Sequence, residues 1–384
     1  MKETIVYIGY NLPDKNPAGV RVFANAKALK EYGYDVKLIS KDDEPVLADK
    51  EYDGMAVWHV NRPKSKKGWL KNLVQAEQYT MIIGNIENVK VVIAYELPAI
   101  SFLKLKKYCH QKQIKLICEV VEWQKWENLG YLNPLGRLIR VIDINLAIRY
   151  AYKKSDALIV TSRYFSDYFK DVVPTLVLPT LQFIRTEFSD LIKKNIVRKF
   201  IYAGGIGFHK DLLCEIVHAF GELQQRQFEF NILGLTLEQY LNRFPQDEEL
   251  LKKVNSTKTR IMFWGRVPHT EVLDFVRQSD FAVIIREKSR RNNVGFPTKY
   301  GESINCGTPV IVSDFSDVAY YTRNFGVGIV TSIGGLTKGL EDALDMDDIS
   351  LMDMQRRCRE CNAFHYKGHI DEIGQFIEGL AKRL

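Results

Sequence analysis

The sequence of 384 residues has no apolar run of the about 18 residues that a membrane-spanning helix requires. Its opening stretch, MKETIVYIGYNLPD, has a short apolar run of strand length, unlike the longer one of a secretory signal peptide. Low-complexity tracts are absent, and so are internal repeats beyond two α/β halves. We therefore expect a globular, cytoplasmic protein, and docking on the inner face of a membrane stays open.

Cysteine is scarce, and its six positions are scattered: Cys109, Cys118, Cys214, Cys306, Cys358 and Cys361. Most lie in apolar surroundings, where a thiol packs as a small hydrophobic group in a reducing compartment. Two of them share spacings of three and four with two histidines, in the set Cys358, Cys361, His365 and His369. One helical face could carry this set, but a zinc site usually takes ligands from two converging elements.

A second pattern with metal-binding form is Asp345-Met346-Asp347, an Asp-x-Asp string. It lies in a polar tail, which favours the start of a helix over a metal site. We therefore predict no metal site and no cofactor.

Lysine and arginine outnumber aspartate and glutamate by 54 to 47, for a net charge of +7. This moderate excess suits an anionic substrate, an anionic membrane surface or nucleic acid. The basic residues are spread out and no nucleic-acid recognition motif is present, so we expect no nucleic-acid partner.

Strand-like and helix-like segments alternate through the chain, which predicts an α/β protein with doubly wound parallel sheets. Residues 4–40 fit a strand–helix–strand unit, and a strand at Lys199–Ala203 begins a second series. The length suits two domains better than one core. We assign residues 1–182 to a first domain and 195–365 to a second, with a helix at about 366–384 packing back on the first.

The segment from Ile284 to Ser313, IIREKSRRNNVGFPTKYGESINCGTPVIVS, carries the most specific chemistry. The apolar run that ends at Ile285 predicts a buried parallel strand, followed by a polar loop. Pro297 suits the start of a short helix over Thr298–Asn305, which Gly307 ends before the next strand. The N-terminus of such a helix attracts anions.

Three charged side chains in this segment suit a nucleotide. Arg286, at the carboxyl edge of the strand, and Lys299, in the helix, can neutralise a diphosphate. Glu302 can accept two hydrogen bonds from a ribose diol. A solvated Lys/Glu pair on a surface helix would account for one of these residues but not for the whole string.

The string GFPTKYGESINCGTPVIVSD resembles the donor-nucleotide motif of retaining GT-B glycosyltransferases of the family 4 group. The matching positions are Pro297, Lys299, Glu302, Gly307, Pro309 and Val310. The resemblance implies that Glu302 holds the donor ribose and that Pro297, Thr298 and Lys299 belong to the donor site. Many members have an earlier glutamate eight positions before Glu302, and Val294 stands there in this chain.

Two further loops resemble donor-side parts of the same family. Gly19, before the predicted helix Val20–Tyr32, matches a glycine-rich loop that faces the donor diphosphate and sugar. Arg266 lies in Trp264-Gly265-Arg266-Val267, which matches a turn near the donor base.

The loop with Gly204, Gly205 and Lys210, ahead of the predicted helix Leu212–Leu223, resembles the first loop of the family's second domain. The resemblance implies that Lys210 contacts the diphosphate. Gly205 replaces an arginine that is frequent there, and we expect Arg286 to supply that charge.

Glu122 ends the predicted strand Lys115–Val121, and polar residues at this edge of a parallel strand often line ligand sites. The string CEVVEW is similar to the family's segment that faces the acceptor. From the position of Glu122 at the strand edge, we expect it to be catalytic together with Lys210 and Arg286. Ordinary surface acids are the alternative, and Glu119 has the weaker case for function.

Two basic segments of the first half suit either an anionic lipid surface or a solvated one. Residues Arg62–Lys71 interleave basic residues with Trp69 and Leu70. The predicted long helix Asn133–Tyr152 has basic residues beside an apolar stripe of Leu135, Leu138, Ile139, Ile142, Leu146 and Tyr150.

The resemblance implies a GT-B fold, two Rossmann-like domains with a cleft between them. It further implies a retaining, metal-independent glycosyltransferase that uses a nucleotide-sugar, a UDP-sugar in our expectation. We expect the acceptor to be a lipid-linked sugar or polysaccharide, in the biosynthesis of cell-surface polysaccharide. The alternatives are a nucleotide-sugar epimerase of the same fold and, given Val294 and Gly205, a degenerate protein that only binds a nucleotide-sugar.

Overall fold

The computed structural model of the chain describes residues 2–10, 17–42, 50–130, 132–183, 195–204, 210–255 and 260–382. The chain divides into two compact units, Met1–Phe183 with His365–Leu384, and Ile184–Phe364. Each unit contains one sheet and its own hydrophobic core.

An eight-stranded sheet forms the centre of the first unit. Its strands are β1 (Thr4–Tyr10), β2 (Asp35–Asp42), β3 (Lys50–Tyr52), β4 (Met55–Asn61), β5 (Val89–Tyr95), β6 (Lys115–Val120), β7 (Ala157–Val160) and β8 (Thr175–Val177). Their order is β3-β4-β2-β1-β5-β6-β7-β8, and all neighbours are parallel except β3 and β4. Strand order reverses between β1 and β5, and doubly wound sheets bind ligands at such a reversal.

Six helices accompany these strands: α1 (Pro17–Tyr32), α2 (Lys66–Val74), α3 (Glu77–Gly84), α4 (Ala99–Gln111), α5 (Pro134–Leu146) and α6 (Arg163–Phe169). A 3₁₀ turn, Trp126–Leu129, precedes α5. Helix α1 begins at Pro17, a residue type suited to a first turn, and not at Val20 as predicted. Gly19 is therefore a buried residue of a helical turn and not part of a loop.

The predicted long helix Asn133–Tyr152 is shorter than expected. Helix α5 starts after Asn133, whose side chain accepts a hydrogen bond from the Gly136 amide, and gives way to a π-helical turn at Ala147–Ala151 and a 3₁₀ turn at Tyr152–Lys154.

The apolar stripe of α5 and the following turn is largely exposed, which the helical pattern alone did not reveal. Exposure runs from 39% to 67% at Leu135, Leu138, Ile142, Leu146 and Tyr150. Among the helices in the described parts of the chain, none is both long and apolar enough to span a membrane.

The second unit has a six-stranded sheet made of β9 (Arg198–Ala203), β10 (Phe228–Leu233), β11 (Arg260–Phe263), β12 (Phe281–Ile284), β13 (Val310–Ser313) and β14 (Gly328–Thr331). The order is β11-β10-β9-β12-β13-β14, and all neighbours are parallel. Strands β12 and β13 are buried throughout, as their unbroken apolar runs predicted. The reversal of strand order here lies between β9 and β12.

Nine helices belong to the described part of this unit: α7 (Leu213–Glu222), α8 (Leu237–Leu241), α9 (Glu248–Asn255), α10 (His269–Gln278), α11 (Arg290–Val294), α12 (Thr298–Asn305), α13 (Val318–Phe325), α14 (Leu336–Asp345) and α15 (Asp348–Glu360). A 3₁₀ turn, Pro245–Asp247, separates α8 from α9. The segment between β12 and α12, predicted as a loop, contains α11, and the Ser289 hydroxyl caps it by accepting from the Asn292 amide.

Helix α12 has the bounds that the sequence predicted, with Pro297 as its cap. Gly307 follows at φ +70°, a conformation that favours glycine. The Asp-x-Asp string marks a helix start as predicted, because the Asp347 carboxylate caps α15 through the Ser350 amide at 2.8 Å. Helix α15 ends at Glu360, so no single helical face carries the four-residue Cys/His set.

After a 3₁₀ turn at Tyr366–His369, the last helix, α16 (Ile370–Ala381), returns to the first unit and packs on α1. The Tyr32 hydroxyl donates to Glu378 at 2.9 Å. A Cβ atom at Gly374 would lie 2.2 Å from the Tyr32 ring, so only glycine permits this close approach.

Candidate active site

Two chain segments of the second unit meet where its strand order reverses. Gly204 follows β9, and Arg286 comes two residues after β12. The backbone at Arg286 is fixed by Ser313, whose Oγ accepts from the Arg286 amide at 2.8 Å and donates to the Arg286 carbonyl at 2.7 Å. The structure therefore brings the first residues of two predicted donor loops to the edge of the sheet where ligands bind.

A carboxylate that sequence reasoning missed joins the two predicted cations. Asp211 Oδ1 accepts from Arg286 Nε at 2.6 Å, and Asp211 Oδ2 accepts from Lys299 Nζ at 2.7 Å. The three side chains are only 9% (Arg286), 13% (Lys299) and 10% (Asp211) exposed. We call these three residues the Asp211 cluster. Its formal charge is one positive unit, which leaves it able to attract an anion.

Neighbouring groups hold the Asp211 cluster in place. The Tyr202 hydroxyl donates to Asp211 Oδ2 at 2.9 Å, and Lys299 Nζ lies 4.1 Å from the centre of the Tyr202 ring. A Cβ atom at Gly204 would lie 2.8 Å from Lys299 Nζ and 3.0 Å from the Tyr202 hydroxyl, so a side chain at this position would displace the Lys299 ammonium group. Gly204 and Lys299, both predicted for the donor site, are thus neighbours in the fold.

The electrostatics of Asp211 reflect this setting. Burial by itself would raise the pKa of the carboxyl, but Lys299 and Arg286 outweigh burial and hold the pKa well below its usual range. Asp211 is therefore ionised at neutral pH, and the two cations keep a fixed partner.

Glu302 lies one turn into α12 and has a partner in the protein that the sequence did not suggest. Glu302 Oε1 is 3.0 Å from Nε2 of His269, the first residue of α10, and the Glu302 side chain is 15% exposed. No local pattern could reveal this contact between two separate helices. The ribose role of Glu302 stays a prediction.

The remaining donor predictions differ in how far the structure describes them. Pro297 and Thr298 stand at the N-terminus of α12. Lys210 is half-buried next to Asp211, and Arg266 is exposed after the turn at Gly265. Gly205 lies outside the described residues. Gly19 belongs to the first unit, and its donor role stays a prediction.

Val294, the position where related sequences have an earlier glutamate, is the last residue of α11 and is fully buried. An apolar side chain suits this environment. Where related sequences have a glutamate, this chain therefore has a valine that packs in the core.

The first unit places two glutamates near the reversal of its own strand order. Glu96 follows β5 with an uncommon positive φ of 43°, and its Oε1 accepts from the amides of Val121 and Glu122 at 2.8 and 2.7 Å. Burial, and then the Glu122 carboxylate, raise the pKa of Glu96 to about 7. A small cleft is lined by Glu96, Glu122, Gln124, Arg140, Asp143 and Tyr152.

Glu122, the predicted catalytic residue, is half-buried and accepts from Gln124 Nε2 at 2.7 Å. Glu96 is a candidate that sequence reasoning did not select, although its position after a buried strand was visible. Strongly shifted carboxyl groups in clefts are candidates for function.

Glu119, by contrast, has a packing role. Its carboxylate is fully buried and accepts from Arg21 Nε at 2.5 Å, from the Tyr7 hydroxyl at 2.6 Å and from Asn25 Nδ2 at 3.0 Å. Arg21 also donates to the Leu178 carbonyl at 3.0 Å. Because Arg21 and Asn25 belong to α1, this network attaches α1 to the sheet.

Part of the sequence and the fold of the chain are similar to those of known proteins. Residues 197–344 match the family model described as Glycosyl transferases group 1. Comparison with curated protein sequences found no match. Solved structures similar to this chain include sucrose-phosphate synthase from Thermosynechococcus elongatus (TM-score 0.71, 15% identity) and a glycosyltransferase from Rickettsia africae ESF-5 (0.69, 14%), each with 100% of both chains covered.

WaaG, a glycosyltransferase involved in lipopolysaccharide biosynthesis, is also similar, with a TM-score of 0.61, 13% identity and coverage of 96% of this chain and 99% of WaaG. These likenesses confirm the predicted fold class: the chain has the GT-B fold, with two Rossmann-like parallel-sheet domains. Together with the family match, they support a GT-B glycosyltransferase.

Proposed function

We propose that the chain is a hexosyltransferase that moves a sugar from a UDP-sugar to a sugar acceptor, with retention of configuration and without a metal ion. The observation that carries the proposal is the Asp211 cluster, which lies at the reversal of strand order in the second unit. Lys299 of this cluster is in the first turn of α12, and a helix N-terminus attracts phosphate. The Glycosyl transferases group 1 match over residues 197–344 supports the same assignment.

In the proposed reaction, the bond between the anomeric carbon and the diphosphate oxygen breaks, and a bond from that carbon to an acceptor hydroxyl oxygen forms. The proton of that hydroxyl passes to the leaving diphosphate. Negative charge grows on the leaving diphosphate, so preorganised cations stabilise the transition state. We assign this role to Arg286 and Lys210, with Lys299 beside them. Asp211 orients two of these cations before the donor binds. Glu302 would accept hydrogen bonds from the ribose hydroxyls.

For the acceptor, we assign the first unit and its cleft at Glu122 and Glu96. Carboxylates accept hydrogen bonds from sugar hydroxyls, and a group with a pKa near 7 can exchange protons at neutral pH. We therefore propose that Glu122 polarises the acceptor hydroxyl. Glu96, by gaining or losing a proton, sets the negative charge next to Glu122.

We further propose a lipid-linked acceptor of cell-surface polysaccharide biosynthesis, reached by contact with an anionic membrane. The support is the exposed apolar stripe of α5, with exposed Arg149 and Lys154 close by in sequence. Residues Arg62–Lys71 add exposed lysines and an exposed Leu70. An amphipathic surface of apolar and basic residues binds anionic lipid. WaaG, a glycosyltransferase involved in lipopolysaccharide biosynthesis, has a similar structure.

The function is tested by a thermal-shift screen of nucleotide-sugars, because a ligand of the folded state raises the melting temperature. The stabilising donor is then incubated with and without sugar acceptors, and the products are identified by mass spectrometry. Transfer predicts a free nucleoside diphosphate and an extended acceptor. Isomerised donor without acceptor would indicate an epimerase, and binding without product would indicate a degenerate binding protein. If no nucleotide-sugar stabilises the chain, the proposal is wrong.

A further inference from the structure

A cysteine, a histidine and an aspartate converge in the second unit at a place that the proposed reaction does not use. Cys214 Sγ lies 3.7 Å from His218 Nε2 and 3.6 Å from Asp247 Oδ2, and His218 Nε2 lies 2.7 Å from Asp247 Oδ1. Their ligand atoms all lie within 4.8 Å of one another, the only such group among the described residues.

Local folding explains why these residues meet. Cys214 and His218 are four residues apart in α7, so they share one face of the helix. Asp247 ends the 3₁₀ turn Pro245–Asp247 and approaches that face from a second element. The arrangement differs from the Cys358–His369 pattern of the sequence, because two converging elements supply the ligands, as metal sites in proteins usually require.

The carboxylate is held in one orientation. Asp247 is buried, with a side-chain exposure of 2%, and its Oδ2 accepts from the Tyr240 hydroxyl at 2.6 Å. A hydrogen-bonded partner behind a ligand is a common feature of metal sites. His218 is about half-exposed, so solvent can reach the group and supply a further ligand.

We propose that Cys214, His218 and Asp247 form a binding site for a divalent transition-metal ion, with zinc as the ion whose preferences fit best. Zinc accepts thiolate, imidazole and carboxylate ligands at about 2.0–2.3 Å, so neighbouring ligand atoms of a tetrahedral site lie about 3.3–3.6 Å apart. The separations from Cys214 Sγ, 3.7 Å to His218 Nε2 and 3.6 Å to Asp247 Oδ2, are close to this range, whereas the 2.7 Å between His218 Nε2 and Asp247 Oδ1 must lengthen when the ion binds. Water completes the site.

The bound ion would link the start of α7 to the turn before α9. Cys214 is three residues after Asp211, so the site stabilises the helix that follows the Asp211 cluster. The role of the bound ion is structural. The site is independent of the proposed sugar transfer, in which cationic side chains face the diphosphate.

The direct experiment is titration of the purified full chain with Zn²⁺ and with Co²⁺ after treatment with a chelator. We expect one ion per chain, and a thiolate-to-cobalt charge-transfer band that Zn²⁺ abolishes. Cys214→Ser should remove the band, and Tyr240→Phe should weaken binding by about tenfold or more, because it deletes the hydroxyl behind Asp247. Glu238→Gln, an exposed change of charge in α8, is the control and should bind like wild type. A band that survives Cys214→Ser, or no ion bound by wild type, would overturn the site.

A second measurement needs no variant. Cys214 is the one cysteine of the six that is not buried, so a thiol reagent should modify it first in the native chain. We expect Zn²⁺ to slow this modification at least tenfold and a chelator to restore it, with the modified residue located by peptide mass spectrometry. An unchanged rate of Cys214 modification at saturating Zn²⁺ would contradict the proposal.

Discussion

The substitution Asp211→Asn tests the Asp211 cluster without changing the shape of the side chain. It removes the charge that neutralises Arg286 and Lys299, which lie at 2.6 and 2.7 Å from its oxygens. Because all three side chains are at most 13% exposed, the two cations cannot exchange Asp211 for bulk water. Removing one partner of a buried ion pair typically costs about 3–5 kcal/mol of unfolding free energy.

The expected result is a large thermal destabilisation. For a domain of this size, a loss of about 3 kcal/mol lowers the melting temperature by roughly 6–12 °C. Differential scanning calorimetry gives this value for the transition of the second unit. Added nucleoside diphosphate should recover more stability in the variant than in wild type, because the phosphates restore negative charge beside the two cations.

The control is Asp314→Asn, which makes the same chemical change at an exposed site. Asp314 is 57% exposed and also has two cationic partners, Lys288 and Arg323, each at 3.9 Å. Exposed pairs contribute about 0–1 kcal/mol, so this variant should melt close to wild type. Equal melting temperatures for the two variants would refute the reasoning.

The same cluster predicts a dependence on pH with a definite sign. The pKa of Asp211 is held below that of an unfolded aspartate, about 3.9. The stability contributed by Asp211 is therefore complete above about pH 4 and is lost as the pH falls further. The difference between wild type and Asp211→Asn should be constant from pH 5 to pH 7 and shrink in stronger acid. A constant difference down to pH 2 would contradict this.

Three further predictions concern other parts of the chain. Glu302→Ala should weaken nucleotide binding by more than ~1 kcal/mol in calorimetric titration, whereas the exposed control Glu271→Ala should not, and equal affinities would remove the ribose assignment. Because the pKa of Glu96 is raised to about 7, the folded chain binds more protons than the unfolded one between about pH 4 and 7. As the pH rises from about 4 to 7, the unfolding free energy of wild type in urea titrations should therefore fall relative to that of Glu96→Gln. The same dependence of unfolding free energy on pH in both proteins would refute the raised pKa. Binding to anionic vesicles should be strong at low salt and weak at high salt. Leu138→Ser should reduce it, whereas Ile349→Ser, a change at an exposed residue of the second unit, should not. Absence of binding at low salt would reject membrane contact.

Local sequence patterns were sufficient for β12, α12 and β13, but they did not predict α11 between β12 and α12. The apolar runs of β12 and β13 and the Pro297 start of α12 depend on neighbouring residues, so the sequence predicted the bounds of α12 and placed both strands to within one residue. The exposure of the α5 stripe did not follow, because a period of 3.6 residues predicts an amphipathic helix but not what covers its apolar face.

The contacts that define the candidate site are long-range, which explains why the sequence did not reveal them. Asp211 meets residues 75 and 88 positions away, and His269 meets Glu302 across 33 positions. The charge of Arg286 was predictable, but its partner was not. Glu119 shows the converse, since an acid in a promising string turned out to be buried against Arg21.

The most direct test of the central claim is the affinity of the chain for a nucleoside diphosphate and the matching monophosphate, measured by calorimetry for wild type and Arg286→Ala. We expect Arg286→Ala to lose about 1.5–3 kcal/mol of diphosphate binding, the scale of a hydrogen bond to a charged group, and much less for the monophosphate. Arg323→Ala, a substitution at an exposed arginine of the same unit, should leave both affinities unchanged. Equal losses for the two nucleotides, or none, would contradict a diphosphate site at Arg286.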